Sequence, residues 1–229
     1  MFGTCVIIMI VITFSVLNGF VYIFLNRKYE PLLLAIQKNE EKDGDVELDS
    51  ENDENFKMSD ILNFDKRYWL ICIGSITTTC TYYVFMSFST DYYQFRYNLD
   101  YSIAKNYASA TSGVAMVGMV VFSTFTGKYG KKGYLLVVSS CLAVFTYAFM
   151  YLVDVGVNSG MISAIFPVFM IGLYFSMYQS CYWSAIVMIT EKKAMAVAFG
   201  SINALDNIGL SLYPIMFGAI NKIESLESY

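Results

Sequence analysis

Apolar residues are gathered into six blocks, at 2–25, 68–88, 107–126, 134–153, 161–190 and 196–219, and polar or charged stretches separate them. A helix needs ~20 apolar residues to cross the hydrocarbon core of a bilayer. Inside that core each backbone N–H and C=O must be paired within the protein, which for blocks of this length means helices. The pattern predicts an all-α, polytopic membrane protein with six spans. Its hydrophobic share is 56%, and a soluble domain is nearer ~45–50% apolar, so the excess lies in these blocks. The first block is not a signal peptide: no basic residues precede it, it is too long, and no small-residue cleavage site follows.

Charge supplies the orientation. Residues 26–66 form a polar loop whose centre, 39–55, is dense in Asp and Glu and is expected to be disordered. This loop accounts for the low pI, which therefore points to no nucleic-acid partner. Counting Lys and Arg, the segments 26–67, 127–133 and 191–195 together carry twelve, against three on the other side of the predicted membrane. The excess places the acidic loop and both basic turns in the cytosol. The segment 67–220 then holds the remaining spans, and 221–229 reads as a charged tail.

Several chemistries are excluded by composition. Histidine is absent, which removes His-based catalysis and His metal sites. The five cysteines lie inside apolar blocks without a C-x-x-C pair and read as small buried hydrophobes. No span carries paired carboxylates or a Gly-x-Ser-x-Gly turn, so no enzyme, metal or cofactor is expected. The glycines of 127–133 are not a phosphate loop, because no G-K-[ST] follows.

The stretch 172–211 is the most informative for function. It carries Gln179, Trp183, Asn203, Asp206 and Asn207 within otherwise apolar or small residues. A carboxylate at mid-span costs at least ~2.5–3.5 kcal/mol on insertion scales and normally faces a bundle interior or a water-filled path. Asn203, Asp206 and Asn207 fall within one helical turn on one side, as if lining a shared polar cavity. Asp206 reads either as a substrate contact that binds a cationic group or takes up a proton, or as a structural acid bonded to Asn203 or a neighbouring helix. Trp183 reads either as an interfacial anchor or as a cavity wall able to stack on a cation. Tyr82 and Tyr83 point ~100° apart, so at most one faces a cavity. Lys128, Gly130, Lys131 and Lys132 form the basic turn, read first as a topology determinant.

These features resemble the major facilitator superfamily. Phe24–Leu33 (FLNRKYEPLL), Thr81–Phe88 (TYYVFMSF), Gly172–Trp183 (GLYFSMYQSCYW) and Phe199–Leu210 (FGSINALDNIGL) are similar to its lysosomal dipeptide transporter branch, around the sixth, seventh, tenth and eleventh helices. The resemblance implies a partial facilitator fold, six helices matching six to eleven of twelve, within a longer protein. It implies secondary transport by alternating access, here lysosomal uniport of dipeptides with cationic ones favoured. It further implies a place in the lysosomal membrane, an accessory lysosomal glycoprotein or homodimer as partner, and a cytosolic gate at Lys128, Gly130, Lys131 and Lys132. The sequence departs from the pattern at Gly127, where the family has Asp, and at Thr190, where it has Pro; Asn203 and Asp206 stand at its two Gln positions. A facilitator of another branch, carrying sugars, amino acids or organic ions, remains open. So does a six-helix membrane scaffold that does not transport.

Overall fold

The computed structural model describes residues 12–25, 27, 64–129, 132–152, 160–190 and 194–227, and all regular structure among them is helical. Helix α1 covers Ile12–Leu25. It is followed by α2 (Lys66–Tyr97), α3 (Tyr101–Tyr129), α4 (Lys132–Leu152), α5 (Gly160–Ile189) and α6 (Met195–Glu227). The helices α2 to α6 are each long and apolar enough to cross a membrane, and α1 is a shorter apolar helix over its described residues. The rest of the predicted first span, the acidic loop at 28–63, Gly130, Lys131 and the turn at 191–193 lie outside the described residues.

One sequence expectation is corrected. The tyrosine-rich stretch 89–106 is not a loop: α2 runs on to Tyr97 and α3 starts at Tyr101. Its tyrosines look polar in sequence, yet Tyr93 and Tyr97 are buried in an aromatic cluster with Phe85 and Tyr147. Asn98 ends α2 in the left-handed conformation (φ 49°), a helix C-cap that lets the chain reverse within three residues. Helix α6 continues to Glu227. At its other end α2 is capped by Asp65, whose carboxylate accepts from the Arg67 backbone N–H at 3.2 Å. The Arg67 guanidinium pairs with the same carboxylate, so this buried arginine is neutralised locally.

The helices alternate in direction, and α5 is the hub that α2, α3 and α4 all pack on. In lipid, apolar association offers no hydrophobic gain, so contact depends on small residues that let backbones approach. The α3–α5 seam shows it. A Cβ added at Gly172 would meet Val114 Cγ1 at 2.7 Å and the Thr111 backbone oxygen at 2.9 Å. One at Gly118 would run into the Ser176 hydroxyl. The opposite face of α3, with Met116, Val117 and Val120, is left outward. Cys72, Cys80 and Cys181 are buried as expected, but Cys141 is on an outer face.

One end of the bundle gathers the basic residues. Arg27 at the end of α1 bonds the hydroxyl of Tyr134 near the start of α4 and lies over its ring. Lys132 donates to the Ser184 carbonyl of α5 at 3.1 Å. Tyr68 of α2 reaches the Ala198 carbonyl of α6 at 3.0 Å. The core forms two apolar clusters. One, around Tyr68, Ile186 and Ile202, lies toward this basic end; the other, around Tyr93, Tyr147 and Ile171, lies toward the far end.

Gly172→Ala is expected to destabilise the bundle by about 1–3 kcal/mol through overpacking against α3. Gly113→Ala, which meets nothing within 4 Å, should leave thermal unfolding of the detergent-purified protein unchanged. In a cysteine-free background, cysteine at Lys128 should react with an impermeant maleimide from the cytosolic face and cysteine at Asp100 from the opposite face.

Candidate functional site

Between the two apolar clusters the helices contribute a polar layer. From α2 come the buried hydroxyls Ser75, Thr77, Thr78, Thr79 and Thr81. Thr77 and Thr81 turn their hydroxyls back onto carbonyls of the preceding turn, so they cost the membrane interior little. Ser75 points away from α2 and donates to the Asp206 carboxylate of α6, 2.8 Å from each oxygen. Asp206 is 8% exposed and stands near the middle of the apolar segment Met195–Met216. Among the described residues it has no ion-pair partner. A carboxylate with one hydroxyl partner at mid-span is an incompletely satisfied acceptor.

The α2–α6 pair that holds Asp206 is parallel and in register. Tyr68 meets Ala198 and Ser201, Ser75 meets Asp206, and Cys80 donates from its thiol to the Asp206 backbone carbonyl at 3.6 Å. From α5, Tyr178 and Tyr182 stand one turn apart and stack at 5.8 Å between ring centroids. Both are fully enclosed in the layer beside Ser75 and Thr78. The Tyr182 hydroxyl faces Ser75 without reaching hydrogen-bond geometry, and no other described residue bonds it.

The sequence-predicted residues divide around this layer. Asp206 is in it, but Asn203 and Asn207 are exposed, so the three do not form one surface. The inner face of α6 is Ala198, Ile202, Asp206 and Gly209, and the two asparagines flank it. Neither bonds the Asp206 carboxylate, whose partner is Ser75. Gln179 is half-buried on α5; its amide oxygen is enclosed and has no partner among the described residues. Trp183 is 38% exposed, edge-on to Tyr182 at 4.9 Å and 5.4 Å from the Phe199 ring of α6. Tyr82 is packed in the core, stacked on Phe175 at 3.6 Å, whereas Tyr83 is exposed. Lys128 is exposed at the end of α3, and Lys132 ties α4 to α5 rather than standing free.

Sequence reasoning missed Ser75, Tyr178 and Tyr182. The signal for the tyrosines was their i, i+4 spacing on α5; Ser75 is hidden in a run of hydroxyl residues, Ser75 to Thr81, that gives no reason to prefer one.

An all-helical bundle with five membrane-length helices and a carboxylate at mid-span defines a polytopic membrane protein with a polar interior. The chain matches the family model of the Major Facilitator Superfamily over residues 1–214. It therefore belongs to that superfamily, whose members are membrane transporters rather than enzymes. No curated protein and no solved structure matches it.

Ser75→Ala removes the hydrogen bond to Asp206. A double-mutant cycle with Asp206→Ala, read by chemical unfolding in detergent, is expected to give a coupling of about 1.5–3 kcal/mol, the range for hydrogen bonds to charged groups.

Proposed function

We propose that the protein serves secondary transport of a small polar solute carrying an amino or cationic group, and that Asp206 binds that group. The observation that carries this reading is the mid-span carboxylate with one hydroxyl partner and no cation beside it among the described residues. A solute ammonium would supply the missing counter-charge. The enclosed amide oxygen of Gln179 adds an acceptor for a second N–H, and Trp183 offers a partly exposed aromatic face. Acceptors with an aromatic wall suit a dipeptide, the solute class that the resemblance implies, better than an anion, which Asp206 would repel. Lysosomal location, uniport and an accessory lysosomal glycoprotein follow from the same resemblance and belong to this proposal.

The test compares Asp206→Asn with the unmodified chain in membrane vesicles, using lysyl-alanine and alanyl-alanine as probes and tryptophan fluorescence as the binding signal. Loss of a charge-assisted hydrogen bond is worth about 1.5–3 kcal/mol, so affinity for lysyl-alanine should fall ~10–100-fold. Alanyl-alanine, which keeps only the α-ammonium, tells which group Asp206 binds: an equal fall assigns the α-amino group, a smaller one the lysyl side chain. Equal affinity of both forms for lysyl-alanine would refute the assignment.

A further inference from the structure

Helix α6 carries three polar side chains within one turn, yet only Asp206 is turned to Ser75. Successive residues stand ~100° apart on a helix, so rotating α6 about its own axis by ~60–100° would bring Asn203 or Asn207 to the same place. That rotation is fixed chiefly by α2, because contact between α6 and α5 is sparse. At the basic end Tyr68 holds the Ala198 carbonyl and the Ser201 hydroxyl. Beside the carboxylate the fit is between Cys80 and Gly209. A Cβ added at Gly209, one turn past Asp206, would stand 2.5 Å from the Cys80 Sγ and 3.3 Å from Ile76 Cγ2. Cys80 is 0% exposed, and its thiol donates to the backbone carbonyl of Asp206 at 3.6 Å. One sulfur therefore fills the space that Gly209 leaves and holds the backbone of the residue that carries the acid.

Non-bonded atoms settle at ~3.5–4.0 Å, so a methyl group at 209 would have to gain about 1 Å. The sulfur cannot turn aside without giving up the Asp206 carbonyl. Helix α2 is held from behind, where Tyr82 stacks on Phe175 of α5 at 3.6 Å. The element that yields is α6. Ser75 stands 2.8 Å from each carboxylate oxygen, and a further ~1 Å takes the pair beyond hydrogen-bond reach. We propose that Cys80 and Gly209 form a socket that sets the rotation of α6, so that the acid and not a flanking amide is presented to Ser75. Both are positioning residues that act through the α6 backbone. The socket stands on the α2–α6 geometry; its weight for transport rests on Asp206 being the solute-binding carboxylate.

Infrared spectroscopy of the full chain in membrane vesicles tests the socket. The carboxyl band of Asp206 is assigned by its loss in Asp206→Asn, and Ser75→Ala gives its position without the hydrogen bond. Gly209→Ala is expected to move the band to that position and to lower lysyl-alanine affinity ~10-fold or more, as for loss of a charge-assisted hydrogen bond. Cys80→Ala removes the sulfur, and a methyl at 209 then meets the Cβ of residue 80 at 3.8 Å, an ordinary contact. Adding it to Gly209→Ala should return band and affinity to the values of the unmodified chain, which general destabilisation would not do. An unmoved band in Gly209→Ala, or a double variant that stays displaced, would overturn the socket. Gly209→Cys serves if the alanine variant does not fold: the same 3.8 Å between Cβ atoms matches the ~3.8 Å found across a disulfide. Copper–phenanthroline should bridge it to Cys80, seen by mass spectrometry, with the band unmoved; no bridge, or a displaced band in the bridged form, would also overturn the socket. A band that follows these steps while lysyl-alanine affinity stays level leaves the socket standing and refutes Asp206 as the solute-binding group.

Discussion

Ser75 and Asp206 form the one side-chain contact on which the middle of this bundle depends. Taking a carboxylate to the centre of a membrane segment is costly, and most costly where the acid is poorly partnered. Here two oxygens share one hydroxyl at 2.8 Å, and the rest of the layer is arranged around that pair. The neighbouring threonines of α2 satisfy themselves on their own backbone and leave Ser75 as the member that reaches across. The tyrosines of α5 fill the space beside it. Above and below, two apolar clusters close the layer off.

The frame that holds this layer is built by close approach rather than by burial of apolar area. Lipid is as apolar as leucine, so the seam between α3 and α5 relies on Gly118 and Gly172, where the two backbones leave no room for a methyl group. Hydrogen bonds supplement the seam, as where the Ser180 hydroxyl donates to the Met119 carbonyl at 3.1 Å. Pro167 and Pro214 lie inside α5 and α6, positions that would break most helices in water. Inside a membrane neighbouring helices and local adjustment absorb the lost backbone bond.

Much of the architecture is legible in the sequence because a bilayer imposes a length rule that apolar blocks must meet. The five long helices fall on the predicted blocks for this reason. The errors occur where polarity in sequence and position in space diverge. Tyr92, Tyr93 and Tyr97 read as a loop, but a tyrosine ring is mostly apolar surface, and these rings extend α2 by packing on one another. Asp206 was legible because a lone acid in an apolar block has to turn away from lipid and toward other helices. Its surroundings were not: helical spacing groups it with Asn203 and Asn207, whereas the inner face is set by what α2 presents, and Ala198, Ile202 and Gly209 are small or apolar enough to follow Asp206 inward.

The parallel register of α2 and α6 has a mechanical meaning. The two helices are fastened where Tyr68 meets Ser201 and, further along, where Asp206 accepts from Ser75 at its carboxylate and from Cys80 at its backbone carbonyl. Two rods joined at two levels resist sliding past one another. Contact between α6 and α5, by comparison, is sparse and includes the Trp183–Phe199 rings near the basic end. Loss of the Ser75–Asp206 hydrogen bond alone would still leave Tyr68–Ser201 and the Cys80 thiol on the Asp206 carbonyl to hold the two helices in register.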